Sequence, residues 1–140
     1  MLRNTCLLLL LAVAVVSCFH GANDCRADDD KLNAFMRMKL NHSQKVMEGL
    51  ATEDFAMIAK HSQAMSLLCE DENWSVLKTP EYQERSNEFR RTVDSMTEAA
   101  KQGNLEAAAL AYVDTTMKCV SCHKYVRKNR MASSNAPVRR

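Results

Sequence analysis

Glycine and proline are scarce in this sequence, with three Gly and two Pro among 140 residues. Aromatic residues are also few, at 6%. Such a chain lacks the punctuation that a turn-rich β architecture needs. Neither sign of charge is in excess, and a formal net charge of +2 argues against a dedicated nucleic-acid binder. No P-loop, Gly-rich phosphate cradle or internal repeat is present. The longest apolar run, Leu7 to Val16, is too short to span a bilayer as a helix. What remains is rich in Ala, Leu, Met, Glu, Lys and Gln, all good helix formers. The length suits one domain of all-α class.

The N-terminus reads as an export signal. Arg3 supplies the charged region and Leu7–Val16 the apolar one. Cys25-Arg26-Ala27 offers small residues at the recognised positions, with cleavage before Asp28. Val15-Val16-Ser17-Cys18 offers a second, looser reading, in which lipidated Cys18 tethers the protein to a membrane. The expected organisation is a signal peptide over 1–27, a folded domain over 28–130 and a disordered tail over 131–140. The expected location is the periplasm or an equivalent compartment.

Of six cysteines, Cys6, Cys18 and Cys25 lie in the leader, which leaves Cys69, Cys119 and Cys122. An odd count in an exported domain is no disulfide framework. Cys69 reads as a small buried hydrophobe.

Four amphipathic segments follow the leader. In the first, Leu32, Met36, Leu40, Ser43, Val46, Met47 and Leu50 fall near one face, and Gly49 is a plausible stop. Thr52 is placed to cap the second, with Glu53 and Asp54 in its first turn and Phe55, Ile58, Met65, Leu68 and Cys69 inward. A longer connection, 70–79, carries Trp74. Thr79-Pro80-Glu81 is a strong start for the third helix, which turns Tyr82, Phe89, Val93, Met96 and Ala100 inward. Gly103-Asn104 ends it and caps the fourth, whose expected inner face is Leu105, Ala109, Tyr112, Thr116, Cys119, His123 and Val126. Short turns favour antiparallel neighbours, so the expected fold is an up-down-up-down four-helix bundle.

The chemistry is concentrated in Cys119-Val120-Ser121-Cys122-His123. C-x-x-C-H is the attachment signature of c-type haem. Both thiols form thioethers with haem vinyl groups, and the adjacent His ligates iron. On a helix, i,i+3 and i,i+4 spacings put all three side chains on one side. A thioredoxin-like pair would need a βαβ context, which is missing. Zinc would need further ligands, and there is no second C-x-x-C or H-x-x-x-H. No acid–base or nucleophile set accompanies the motif, which argues against an enzyme.

C-x-x-C-H on the last helix of an exported four-helix chain resembles the cytochrome c-prime family, the class II c-type cytochromes. It also resembles the soluble b-type cytochrome of the same architecture, with His in the last helix and Met in the first. The resemblance covers roughly residues 30–128. It implies one covalently attached haem c per chain, packed among helices one, three and four. His123 is then the proximal ligand, and a helix-one residue faces the other side of the iron. Met36 in that place makes a six-coordinate electron carrier. Leu40 as a steric lid leaves the iron five-coordinate and open to a small gas such as NO or CO, as in family members. His42 and Met38 are further candidates. Arg37 departs from the family pattern: it stands one residue closer to Leu40 than the family's propionate-side Arg stands to its distal residue. Phe89 and Tyr112 are candidate pocket walls. Lys124, Arg127, Lys128 and Arg130 offer either dipole complementation or docking for an acidic redox partner protein. Family members often pair into homodimers, which the resemblance implies here too. The functional expectation is an electron carrier, with gas binding as the alternative.

Overall fold

The computed structural model describes residues 30–70 and 77–134. The expected signal peptide, the leader cysteines and Trp74 lie outside them. Contacts divide the chain into two compact units, 1–36 and 37–140. The described part of the first is the opening of helix α1, where Phe35 is buried. All else below concerns the second unit unless stated.

Helix α1 spans 30–51, α2 Phe55–Leu68, α3 Pro80–Lys101 and α4 Leu105–Ser134. No strand occurs among the described residues. The all-α, antiparallel four-helix arrangement expected from the sequence is therefore what the chain forms. Antiparallel pairing is visible in the side-chain register. Thr79 meets Tyr125, Arg85 meets Ser121 and Thr92 meets Thr115, so numbers rise along α3 as they fall along α4. The α2–α3 pair behaves alike, with Ser62 on Thr97 and Glu70 on Arg90.

The helix boundaries follow from capping chemistry. Thr79 Oγ1 accepts from the Tyr82 amide at 3.2 Å, and Pro80 opens α3 where no donor is needed. Gly103 adopts φ 68°, a left-handed turn that frees the Gly103 and Asn104 amides to bond back to Ala100 and Ala99. Asn104 Oδ1 then accepts from the Ala107 amide at 2.9 Å.

The first turn departs from expectation. Thr52 does not cap α2; its hydroxyl donates back to the Glu48 carbonyl at 2.9 Å. Asp54 is the cap, accepting from the Met57 amide at 2.9 Å, and Glu53 takes the left-handed φ of 56° that reverses the chain. Gly49 is no stop either. It lies inside α1, and a Cβ there would meet Ile58 Cγ1 at 2.9 Å and the Asp54 carbonyl oxygen at 3.2 Å. Only glycine lets α1 and α2 approach this closely.

The core joins Val46, Ile58, Met65, Phe89, Val93, Met96, Ala99, Ala100 and Ala108. On α1 the expected line through Leu40 and Met47 is wrong, since both are exposed, at 59% and 50%. Val46 is buried as expected, and Lys39 and Gly49 take the other buried positions instead. On α4 the buried line runs Leu105, Ala108, Tyr112, Thr115, Cys119, Cys122, Val126, alternating steps of three and four. Thr116 and His123, expected on that face, are exposed beside it. The helix also continues four residues into the segment expected to be a disordered tail.

Candidate haem-attachment site

α4 carries the C-x-x-C-H motif at its middle, well inside regular helix. Cys122 is buried and Cys119 half-buried; both are free thiols. One residue turns a helix by about 100°, which places His123 on the shoulder of the buried line, next to solvent. The motif thus presents two inward thiols and an outward-leaning imidazole.

The other helices supply what faces the thiols. From α1 comes Lys39, only 8% exposed. Its Nζ lies 4.0 Å from the centroid of the Phe89 ring and 3.1 Å from Cys69 Sγ. An ammonium over an aromatic face is held by the ring quadrupole. Burial draws the Lys39 pKa below its usual value, against the pull of Cys69, Cys119 and Cys122. Burial likewise pushes the Cys69, Cys119 and Cys122 thiols up, against the pull of Lys39. Each group is moved toward its uncharged form. Cys69 is therefore more than the inert filler expected of it. Its thiol donates to the Met65 carbonyl at 3.4 Å and receives Lys39.

From α3 comes Arg85. Its Nη1 donates to Ser121 Oγ, inside the motif, and its Nη2 donates to Glu81 at 2.6 Å. The guanidinium stands 5.0 Å from the Tyr125 ring centroid. Its Nε is buried with no hydrogen-bond partner among the described residues. Lys118, next to Cys119, reaches Glu88 of α3 at 3.6 Å. The motif's turn of α4 is thereby pinned to α3 on both flanks.

The remaining candidates are placed as follows. Phe89 is buried under Lys39. Tyr112 is half-buried, and its hydroxyl pairs with Ser43 at 3.3 Å. Met36 is half-buried and belongs to the first unit. Leu40 and Met38 point to solvent, at 59% and 46% exposure, so neither stands where a lid or ligand was expected. His42 pairs with His61 instead, Nδ1 to Nδ1 at 2.8 Å. Sequence reasoning missed Lys39, Cys69 and Arg85 as neighbours of the motif. No local signal marks them, since only the packing of α1, α2 and α3 brings them to α4.

The donor set fits a covalently held haem. Two unpaired thiols share the inner side of one helix, an unengaged cationic nitrogen of Arg85 lies buried beside them, and an imidazole follows directly. No cluster of three or more His, Cys, Asp or Glu side chains suited to a bare metal ion occurs among the described residues.

No protein-family model matches the sequence, and no curated protein matches it either. Solved structures do. Cytochrome c′ from Rubrivivax gelatinosus matches at 17% identity, with a TM-score of 0.54 over 66% of this chain and 88% of that one. A single-substitution variant of cytochrome c′ from Alcaligenes xylosoxidans, solved as its nitric oxide complex, matches at 16% identity, with a TM-score of 0.57 over 69% and 90%. A second such variant, also with nitric oxide, matches at 14% identity and the same TM-score. The chain has the four-helix fold of the cytochromes c′.

Proposed function

We propose that this chain is an exported monohaem c-type cytochrome that carries electrons. The observation that supports this most is the placement of Cys119 and Cys122 on the inner line of α4, with Cys119 packed against the core that holds Phe89, in a fold shared with cytochromes c′. When bound, the haem iron supplies a one-electron couple. The protein's part is attachment, burial and orientation. Cys119 and Cys122 would hold the haem as thioethers, each thiol adding across a vinyl group so that sulfur bonds to one carbon and the thiol hydrogen passes to its neighbour. His123 would ligate the iron through an imidazole nitrogen, since the i,i+4 spacing to Cys119 holds that imidazole near the attachment points. Arg85 and Lys118 fix the rotation of this turn of α4, and Phe89 supplies an apolar wall. Export follows from the 1–27 leader and from haem attachment taking place outside the cytoplasm. Redox partner proteins dock on the basic side formed by Lys124, Arg127 and Lys128.

A second reading is gas binding at a five-coordinate iron. Its support is that two of the similar structures are nitric oxide complexes. Optical spectra separate the two. A carrier gives a low-spin ferric spectrum and a reduced spectrum that CO leaves unchanged. A gas binder gives a high-spin ferric spectrum and prompt CO binding. Haem staining of denaturing gels, after expression with the attachment machinery, tests the shared premise: an unstained band ends both readings.

A further inference from the structure

Among the α1 residues of the second unit, Lys39 carries an amine into the core against which Cys119 packs. Leu40 and Met38 are turned to solvent, and His42 is engaged with His61. The Lys39 amine lies between the Phe89 face of α3 and the Cys69 thiol of α2, and Phe89 belongs to the core against which Cys69 and Cys119 both pack. A porphyrin joined to Cys119 and Cys122 must share this space. It cannot occupy it without taking over the contacts that now hold the amine. A lysine buried to 8% exposure needs a replacement partner when these are displaced.

Resting on the haem reading above, we propose that Lys39 supplies the sixth ligand to the iron, its Nζ binding on the side opposite His123. An amine is a nitrogen donor like imidazole and binds metal through its lone pair, with its proton released as the metal takes its place. Three consequences separate this arrangement from the alternatives. The iron carries two nitrogen ligands, so no methionine–iron charge-transfer band exists. Cys69 is a neighbour and not a ligand. The iron is closed to weak exogenous ligands by a coordinate bond and not by an aliphatic lid.

The experiment uses the full chain expressed with the haem-attachment machinery. Haem staining of a denaturing gel comes first: an unstained wild type overturns the haem reading and with it the ligand. On stained protein, electron paramagnetic resonance and near-infrared magnetic circular dichroism report the ferric ligands. Wild type is expected to be low-spin with two nitrogen ligands. Lys39→Arg keeps the stem and the charge, but a guanidinium is not deprotonated in proteins and cannot ligate. That variant and Lys39→Ala are expected to be fully high-spin and to bind CO on reduction. Cys69→Ser, Leu40→Ala and Met36→Ala are expected to keep the wild-type spectrum. Far-UV circular dichroism verifies that each variant remains helical. A stained wild type that is high-spin, an unchanged spectrum in Lys39→Arg, or loss of the low-spin signal in Met36→Ala or Cys69→Ser overturns the assignment while leaving the haem in place.

Discussion

Nδ1 of His42 lies 2.8 Å from Nδ1 of His61, and the two rings are tilted by 41° across the α1–α2 seam. One nitrogen must donate and the other accept, so the contact needs at least one neutral imidazole. Burial and the charge of His42 hold the His61 pKa below 6.5. A lowered folded pKa means that the unfolded chain binds more protons, so stability rises with pH. This contribution is complete above about pH 6.5 and is lost as the pH falls below that value toward the lowered folded one. Melting temperature measured from pH 8 to 5 is expected to drop at the acid end. His42→Gln is expected to flatten that drop; an equally steep curve in the variant would remove the pair as its source.

Glycine to alanine inside an exposed helix usually stabilises, by about 1 kcal/mol. At Gly49 the sign reverses. A Cβ would press on Ile58 Cγ1 and the Asp54 backbone, and Ile58 is wholly buried with nowhere to move. Gly49→Ala is expected to destabilise by about 1–3 kcal/mol, read as a lower urea midpoint at unchanged slope.

The Ser62 and Thr97 hydroxyls lie 2.6 Å apart between α2 and α3; one donates across the gap, and the one that accepts is left to donate to a carbonyl of its own helix, Ile58 or Val93. Either single change, Ser62→Ala or Thr97→Val, breaks the bridge. Each is expected to cost about 1 kcal/mol. The double variant should cost less than the two together, by about 0.5–1.5 kcal/mol in a thermodynamic cycle. Strict additivity would show that the bridge contributes nothing.

Thr79 caps α3 and also pairs with the Tyr125 hydroxyl at 2.8 Å. Thr79→Ala is expected to cost about 1–2 kcal/mol. Tyr125→Phe removes only the second contact and should cost less; an equal loss in both would assign the effect to the tyrosine contact.

Much of this architecture was legible because the sequence marks helix ends and apolar lines plainly. The Thr79-Pro80 start, the Gly103-Asn104 reversal and the inner face of α3 all stand where local chemistry put them. α1 was misread for a physical reason. Its inner positions include Lys39 and Gly49, whose fit depends on Phe89 and Ile58 in other helices, and polarity alone ranks Leu40 and Met47 above them. On α4, Thr115 fills an inner position because its hydroxyl donates to Thr92, so the true line lies slightly to one side of the apolar one. The attachment motif was legible because its chemistry is written in adjacent residues. Lys39, Cys69 and Arg85 were not, because only tertiary pairing brings them to it.

The depth of Cys122 sets an order of events. A thiol with 8% of its surface exposed, on a helix pinned to α3 by Arg85 and Lys118, is closed to any enzyme that must hold both it and a haem. If haem is attached as proposed, attachment to such a thiol would belong to the open chain, and docking of α4 would be the step that seals the product. On that reading a chain that folded before it was loaded would be a dead end for maturation, and slow closure of the α3–α4 hairpin would be an advantage and fast closure a hazard.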